Sequence, residues 1–363
     1  MKYIPVEKIY NLMVQVFCKL GVPKSEAKIC ADVLITSDLS GIESHGVGRL
    51  KMYYDRIKAG IQNVNTKIEV VKDEKATTVW DGNHGMGHVI SHRAMNKAMD
   101  KAAEFGVGIV AVRNSTHYGI CGYYCRQAAK KNMIGITFTN ARPSIAPLFG
   151  TSPMLGTNPI AFGCPTNLPY SFIYDAATSI TQRGKIEVLG REGKSTPKEW
   201  AIDSGGKPYT DTQKLLVDLI AKKAALVGLG GTEEVSGGHK GFGLVVMVEI
   251  LCAALQNGSY LHGLHGWDGD KRVPYKLGHF FLAIDIEKFI EIKRFKEITT
   301  DILKQIQNSK IRKDKTKIFV AGEKEYLKEQ EVRERGIPIN YELEKNLEMM
   351  IKDLKIEFGF PSS

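Results

Sequence analysis

Residues 88–112 read HVISHRAMNKAMDKAAEFGVGIVAV, and this stretch decides what kind of fold the chain can have. Residues 88–105 are rich in Ala, Met and Lys, good helix formers, with small side chains where a helix packs closely on a neighbour. Gly106 is the residue type that stops such a helix, and 107–112 is a β-branched run that reads as a strand. Gly106, Gly108 and Ala111 also match the spacing G-x-G-x-x-A. In a Rossmann unit that spacing follows a strand and opens a helix, because the glycines must bring phosphates onto the helix N-terminus. Here it closes a helix and opens a strand, so the match carries no phosphate-binding meaning. The expected fold is α/β in content without being an ordinary Rossmann fold.

Working outward, a helix near 122–131 leads to a strand at 134–139, which continues the helix–strand alternation. A loop dense in Pro, Gly, Ser and Asn follows from 140 to 159, and a loop of that length inside a compact domain is usually functional. Short strands are expected at 160–163 and 171–175. Towards the N-terminus, Pro5 opens a helix over 6–20 that Gly21 stops, and Ser25 is expected to cap a second to about 39. Residues 44–59 have helical composition and end at Gly60, and period-two alternation marks strands at 67–71 and 76–80. Beyond the loop, 186–209 is turn-rich, with a hairpin turn at 203–206. Gly228, Gly230, Gly231, Gly237 and Gly238 then open into an apolar helix over 242–255. A last strand at 278–285 precedes charged helices, and no internal repeat is present.

With 363 residues, 43% of them hydrophobic and 25% charged, the chain can bury a substantial core in two or three domains. The longest apolar run, 244–255, is broken by Glu249, and 1–20 reads as an amphipathic helix containing Glu7 rather than a signal peptide. No membrane contact and a cytoplasmic location are therefore expected. The six cysteines are scattered and read as buried thiols in a reducing compartment. The net charge of +10 raises nucleic-acid binding, but the basic residues are interleaved with Asp and Glu, which suits a solvated surface. No nucleic-acid partner is expected.

Several groups could carry chemistry. The segment SGGHKGFG (236–243) is either an anion-binding turn at a helix N-terminus, with Lys240 adding charge, or a helix start that only turns tightly. His84, His88 and His92 recur every four residues, which on a helix would suit a metal. Gly82, Gly85 and Gly87 argue that the helix starts only near His88, so ordinary loop and surface histidines are expected. His262 and His265 read as surface residues as well, and no metal site is expected. His45 differs, because Arg49 lies four residues on and would share its helix face. Imidazole is a natural proton donor to a carbonyl oxygen, and guanidinium is a natural fork for a carboxylate. The bland alternative is a capping Ser44 beside a helix-terminal His45. His117, just after an expected strand, is a second candidate acid/base.

Collinear motifs now identify a family resemblance. DLSGIESHGVGRLKMYY (38–54), GVGIVAVRNSTHYGICGYY (106–124), LGTNPIAFGCP (155–165), YDAATS (174–179), RGKIEVLGREGK (183–194), GGHKGFGLVVMVEILC (237–252) and GHFFLAID (278–285) resemble the type-2 malate/L-lactate dehydrogenase family over nearly the whole chain. That family also contains sulfolactate, ureidoglycolate and diketogulonate enzymes and cyclic-imine carboxylate reductases. The resemblance implies a largely antiparallel cofactor-binding sheet with a helical domain formed from N- and C-terminal segments. The implied domains are 1–72 with 287–363 (helical, substrate-binding and dimerising), 73–210 with 273–286 (sheet), and 211–272 (small, helical).

By the same resemblance the activity is hydride transfer between NAD or NADP and a small 2-hydroxy/2-oxo acid such as malate or lactate, in a homodimer. His45 would be the proton donor with Ser44 and Asp175 as relay partners, or His117 would be the acid/base. Arg49 and Tyr53 would bind the substrate. Asn140, Asp175, Ala176, Ala177, Thr178, Ser179, His239, Lys240, Gly322 and Glu323 would contact the cofactor. The chain departs from the pattern at Arg142, where a small polar residue is common, at Ala321 in place of Pro, and in the loop GLHGWDGDKRVPYK (263–276), which is its own. Alternatives are a cyclic imino-acid reductase, a ureidoglycolate dehydrogenase and, outside enzymes, an inactive nucleotide-binding protein. Arg183 or Lys185, expected on a solvated strand, could meet an NADP phosphate.

Overall fold

The computed structural model describes residues 2–360. The chain begins with β1 (Lys2–Ile4), α1 (Val6–Lys19) and α2 (Lys24–Leu39), then two 3-10 turns, Glu43–His45 and Val47–Arg49, and α3 (Leu50–Lys58). Next come β2 (Glu69–Asp73), β3 (Thr77–Asp81), α4 (Gly87–Phe105), β4 (Val107–Ser115), α5 (Gly122–Lys130), β5 (Met133–Thr139), β6 (Ile160–Cys164) and β7 (Phe172–Ala176). A third group holds α6 (Arg183–Arg191), β8 (Ala201–Asp203), α7 (Thr212–Ile220), β9 (Ala224–Leu226) and α8 (Gly238–Ala253). A two-residue hairpin, β10 (Trp267–Asp268) and β11 (Lys271–Arg272), leads into β12 (Leu277–Asp285), α9 (Ile292–Gln307), α10 (Glu323–Arg335), β13 (Ile337–Ile339) and α11 (Tyr341–Asp353).

The central sheet has seven strands in the order β2-β3-β4-β12-β5-β6-β7. Five of its six pairings are antiparallel, and the parallel one, β3 with β4, is bridged by α4. A Rossmann sheet is parallel throughout, so the reversed glycine pattern was read in the right sense. Gly106 ends α4 at φ +85°, and Gly108 lets α4 sit directly on β4, where a Cβ would stand 2.0 Å from the Ala98 carbonyl oxygen. Side chains alternate across β12. Phe281 packs with Tyr124 and the α4 residues on one face, while Phe280 stacks on Phe138 under α8 on the other. Each such fully buried side chain contributes roughly 1.5–3 kcal/mol.

A helical body covers the α4–α5 side and is made from both ends of the chain. Ile9, Leu12, Met13, Val16 and Phe17 of α1 recur every three or four residues and meet Leu34, Leu50, Tyr53, Val332, Leu347 and Met350 in one core. β1 pairs with β13, Lys2 against Ile339 and Ile4 against Ile337. A third core gathers Ile186, Ala201, Leu215, Leu226 and Val245 from α6, β8, α7, β9 and α8.

Several expectations are corrected. Ser25 lies inside α2, and the residue at the N-cap is Pro23. Residues 44–59 are not one helix, because Gly46 breaks the chain between the 3-10 turns. The turn-rich reading of 186–209 misses α6, which places Arg183 and Lys185 on a helix, not on a strand. The apolar helix starts at Gly238, and Gly238–Gln256 is long and apolar enough to cross a membrane by length and composition alone (mean hydropathy 1.5). In the fold it lies on the sheet. Its Glu249 accepts from the Asn158 amide (2.8 Å) and the Leu261 N–H (2.8 Å).

Candidate active site

The segment 41–49 is shaped by one buried carboxyl. Asp38, at the end of α2, accepts the Val47 N–H (2.8 Å) and lies so close to Gly46 that a Cβ there would stand 1.7 Å from Asp38 Oδ1. Burial pushes the Asp38 carboxyl up to about 8, against the Val47 hydrogen bond that lowers it. The two 3-10 turns set His45 and Arg49 on successive short elements instead of one helix face. Arg49 folds back so that Nε donates to the Ser44 carbonyl (2.5 Å), and Ser44 Oγ is 2.9 Å from His45 Nδ1. Ser44 caps no helix. It is a hydrogen-bond partner of the histidine.

His117 reaches the same place from the loop after β4. Its Nδ1 accepts the Gly119 N–H (3.3 Å) and lies 2.6 Å from the Tyr53 hydroxyl on α3. An amide N–H can only donate, so Nδ1 carries the lone pair and the imidazole proton resides on Nε2. The rings of His45 and His117 stack with centroids 5.6 Å apart and planes 23° from parallel. Burial, then the Arg49 charge, lowers His45 to about 4. Burial, His45 and the nearby arginines lower His117 well below its ordinary value. Both imidazoles are neutral at pH 7 in the free protein.

The two histidines stand where two cavities meet. The larger, about 550 Å³, is lined by Arg49, by Met52 and Arg56 of α3, by Arg142, by Arg183 and Gln182, and by Trp267 and Tyr275 of the hairpin segment. Five of its lining residues are cationic (Arg49, Arg56, Arg142, Arg183 and Lys222) and none is acidic. The smaller, about 130 Å³, shares His45, His117, Ala141, Thr157, Gln182 and Leu277 with it and adds Asn140, Pro159, Asp175 and Ala177. Asp175 accepts the Gly122 N–H at the start of α5 (2.7 Å), and burial raises its carboxyl to about 6. It lines the histidine cavity without a direct bond to His45.

The structure therefore gathers His45, His117, Ser44, Arg49, Tyr53, Asn140, Asp175 and Ala177. Asn140 is buried with its amide spent on the Gly278 N–H (2.8 Å) and the Ser259 carbonyl (3.3 Å). Thr178 and Ser179 spend their hydroxyls on the carbonyls of Thr157, Asn158 and Thr181, so they brace the turn after β7, where Ala176 is the last strand residue. Glu323 is buried against Lys317, Gln307 and the Val320 N–H, and Gly322 (φ +91°) packs on the Ser171 carbonyl. His239 and Lys240 are exposed on the first turn of α8 and line neither cavity. The cavity beside that turn, about 210 Å³, has Glu233 as its one charged lining residue.

His88 is fully buried, its ring 4.6 Å from that of Tyr53, which overturns its reading as a loop or surface residue, whereas His84 lies in the turn before α4 as expected and His92 is half-buried on α4. No three potential metal ligands cluster among the described residues. Sequence reasoning missed Asp38, Arg56 and Gln182. Arg56 had a signal, because Arg49, Met52 and Arg56 recur at helical spacing; Gln182 had none.

The model of the malate/L-lactate dehydrogenase family matches residues 4–348. A malate dehydrogenase of Pyrococcus horikoshii is 40% identical over 98% of this chain and 96% of that protein. A malate/(S)-sulfolactate dehydrogenase of Methanothermus fervidus is 35% identical over 98% of each. The crystal structure of malate dehydrogenase from Entamoeba histolytica superposes with a TM-score of 0.96 at 39% identity, covering 99% of both chains. The chain belongs to the malate/L-lactate dehydrogenase family and is an oxidoreductase of the hydroxy-acid class.

Proposed function

We propose that the protein interconverts a 2-hydroxy acid and its 2-oxo acid, with NAD or NADP as the redox partner. One observation carries this reading: two neutral, stacked histidines border a cavity that holds an unpaired arginine fork and no acidic side chain. The neighbouring small cavity fits the nicotinamide end of such a cofactor, with flat apolar walls from Ala141, Pro159 and Leu277 and the Asp175 carboxyl on its edge. Asp175, Ala177 and Asn140 would hold it there. Lys240 and His239 are exposed and outside any ion pair among the described residues, so they are free to meet phosphates. When bound, the cofactor supplies or accepts the hydride.

Arg49 takes the carboxylate of the acid. Its Nε is tied to the Ser44 carbonyl, which fixes the fork and leaves its outer N–H groups for a bidentate contact. His117, with its proton on Nε2, donates a hydrogen bond to the C2 oxygen. It cannot readily become an imidazolium, because the Gly119 amide and Tyr53 already occupy Nδ1. His45 has only the Ser44 hydroxyl on Nδ1, and a hydroxyl can donate or accept, so His45 is free to change protonation state. His45 is thus the acid/base and His117 the polariser. Bringing an anion into the cavity raises the His45 pKa from its low free value, so proton uptake accompanies binding of the oxo acid.

The assembly is read as a homodimer. Leu244, Met247 and Ile250 form an exposed apolar row on α8, continued by Leu255 and Tyr260 beside an apolar groove of about 510 Å³. A cytoplasmic location fits the six unpaired thiols, five of them buried. The test follows reduced-nicotinamide absorbance with NADH and NADPH against oxaloacetate, pyruvate, 2-oxoglutarate and sulfopyruvate. Turnover with any pair supports the reading; none, together with no cofactor binding by fluorescence, overturns it.

A further inference from the structure

Glu249 is a buried carboxyl that the hydride-transfer chemistry does not call on. It lies in the second half of α8, 7% exposed and in no ion pair among the described residues, and it borders the apolar groove of about 510 Å³. A charge in such a place is costly unless hydrogen bonds satisfy it. Burial raises the carboxyl above its ordinary value, and the Leu261 N–H and the Asn158 amide work against that rise. Each oxygen has its own donor: Oε2 accepts from the Asn158 amide and Oε1 from the Leu261 N–H, both at 2.8 Å. Two acceptors meet two donors, one to one.

Asn158 passes the contact on. It is fully buried, and its Nδ2 donates to the Val245 carbonyl (3.1 Å) as well as to Glu249, which fixes the way the amide is turned. Its Oδ1 then faces the Ala141 N–H and accepts from it (3.1 Å). The backbone of Asn158 has φ +32°, on the left-handed side where glycine sits without strain, so the side chain is retained against backbone strain. Thr157 and Pro159 on either side of it line the smaller cavity, and Ala141 lines both cavities, but Asn158 lines neither. Its side chain stands behind the cavity wall. Gly156 lets the two segments come this close, since a Cβ there would stand 2.4 Å from the Ala141 carbonyl oxygen and 2.5 Å from Asn158 Oδ1.

We propose that Glu249 is a positioning residue for the cofactor: through Asn158 it holds the Ala141 peptide in the wall of the smaller cavity, so that the nicotinamide ring meets a wall of fixed shape. This rests on the hydride-transfer reading above. The carboxylate touches neither cofactor nor acid, and its effect reaches them through one side-chain amide and one backbone N–H. Its other oxygen ties α8 to Leu261, and Asn140 holds the neighbouring Ser259 carbonyl (3.3 Å), so the segments 140–141 and 259–261 are braced together.

The test titrates NADH and NADPH into the wild-type protein, Glu249→Gln, Asn158→Gly and the double variant, following nicotinamide fluorescence, and measures KM for the best-used oxo acid of the panel above. Glutamine keeps the shape of Glu249 but offers one acceptor and turns a donor towards a donor. Glycine at position 158 removes the amide and relaxes the backbone. Glu249→Gln should weaken binding of the preferred nicotinamide by about tenfold, while KM for the acid held by Arg49 stays within about twofold. Asn158→Gly should do the same, and the double variant should match Asn158→Gly within about twofold, because Glu249 acts through that amide. Effects that multiply in the double variant, or an unchanged nicotinamide affinity in either single variant, overturn the relay alone. A loss that falls equally on cofactor and acid overturns it too, since general loosening of the fold gives that result. Should Glu249→Gln lose its cooperative thermal melt, Asn158→Gly decides by itself on its nicotinamide affinity and its KM for the acid. A wild-type protein that binds neither nicotinamide and turns over none of the acids overturns the hydride-transfer reading, and the relay falls with it.

Discussion

His117 cannot hold a proton on Nδ1 while the Gly119 amide and the Tyr53 hydroxyl both point at that atom, and this separates the two histidines. His45 is left as the group that titrates, with a free-protein pKa of about 4 set by burial and the Arg49 charge. The sign follows from which form each direction needs. Oxidation of the hydroxy acid needs the neutral base, which is present above about pH 5, so its kcat/KM should be flat from there to pH 8. Reduction needs the imidazolium, so its kcat/KM should fall about tenfold per pH unit over the same range. Its kcat should fall at a higher pH, because the bound anion raises the His45 pKa. Paired pH profiles in the two directions check this, and a flat reductive kcat/KM would assign the proton elsewhere. At this scale the sequence was informative about chemistry but not about state. His45, Arg49 and His117 stand out by residue type and spacing. The tautomer of His117 rests on how its loop folds back to aim the Gly119 N–H at Nδ1, and its second partner, Tyr53, lies sixty-four residues away in the chain. No local pattern carries that.

At the scale of elements, α2 reaches into the site through Asp38, which fixes the break between the 3-10 turns. Its folded-state pKa of about 8 lies above the ordinary 3.8, so the native protein keeps a proton that the unfolded chain loses. Its contribution is full below about pH 4 and is lost as the pH rises towards 8. Asp38→Asn mimics the protonated carboxyl and keeps the acceptor for Val47. It should stay within about 0.5 kcal/mol of wild type below about pH 4 and become the more stable of the two as the pH rises, which flattens the decline of Tm across that window. Asp38→Ala should cost about 1–3 kcal/mol and lower turnover as well, because His45 and Arg49 lose their frame. Thermal melts at several pH values measure both; equal damage from the two substitutions would contradict the account. The elements legible in sequence, α1, α4, α5, β4, β5 and β12, have strong periodicity or a glycine stop. The segment 44–59 deceived because its composition is helical while Gly46 and Asp38 impose a tertiary break. α6 was hidden by Gly184 and Gly190, which weaken a helix that Ile186 nonetheless anchors in a core. β1 and β13 are three residues each and pair across the whole chain, so neither shows alone.

For the molecule as a whole, a glycine spacing in the wrong order excluded an ordinary Rossmann fold, and only the family resemblance implied the largely antiparallel sheet. The row of Leu244, Met247 and Ile250 on α8 was read in sequence only as an apolar helix. Its exposed side became visible once the other side lay on β12 and β5. If that row is the dimer contact, Met247→Glu should convert a dimer to a monomer in light scattering after gel filtration, since a buried carboxylate without a partner is not tolerated. A wild-type monomer, or a dimeric variant, would place the contact elsewhere.

The measurement that bears most directly on the central claim is steady-state turnover of the preferred 2-oxo acid by His45→Gln beside the wild-type protein. The account expects kcat to fall by about 10² to 10⁴ with KM nearly unchanged, because the proton donor is lost while Arg49 still holds the acid. A variant that keeps its kcat would contradict the assignment of His45 and, with it, the chemistry drawn from the stacked pair.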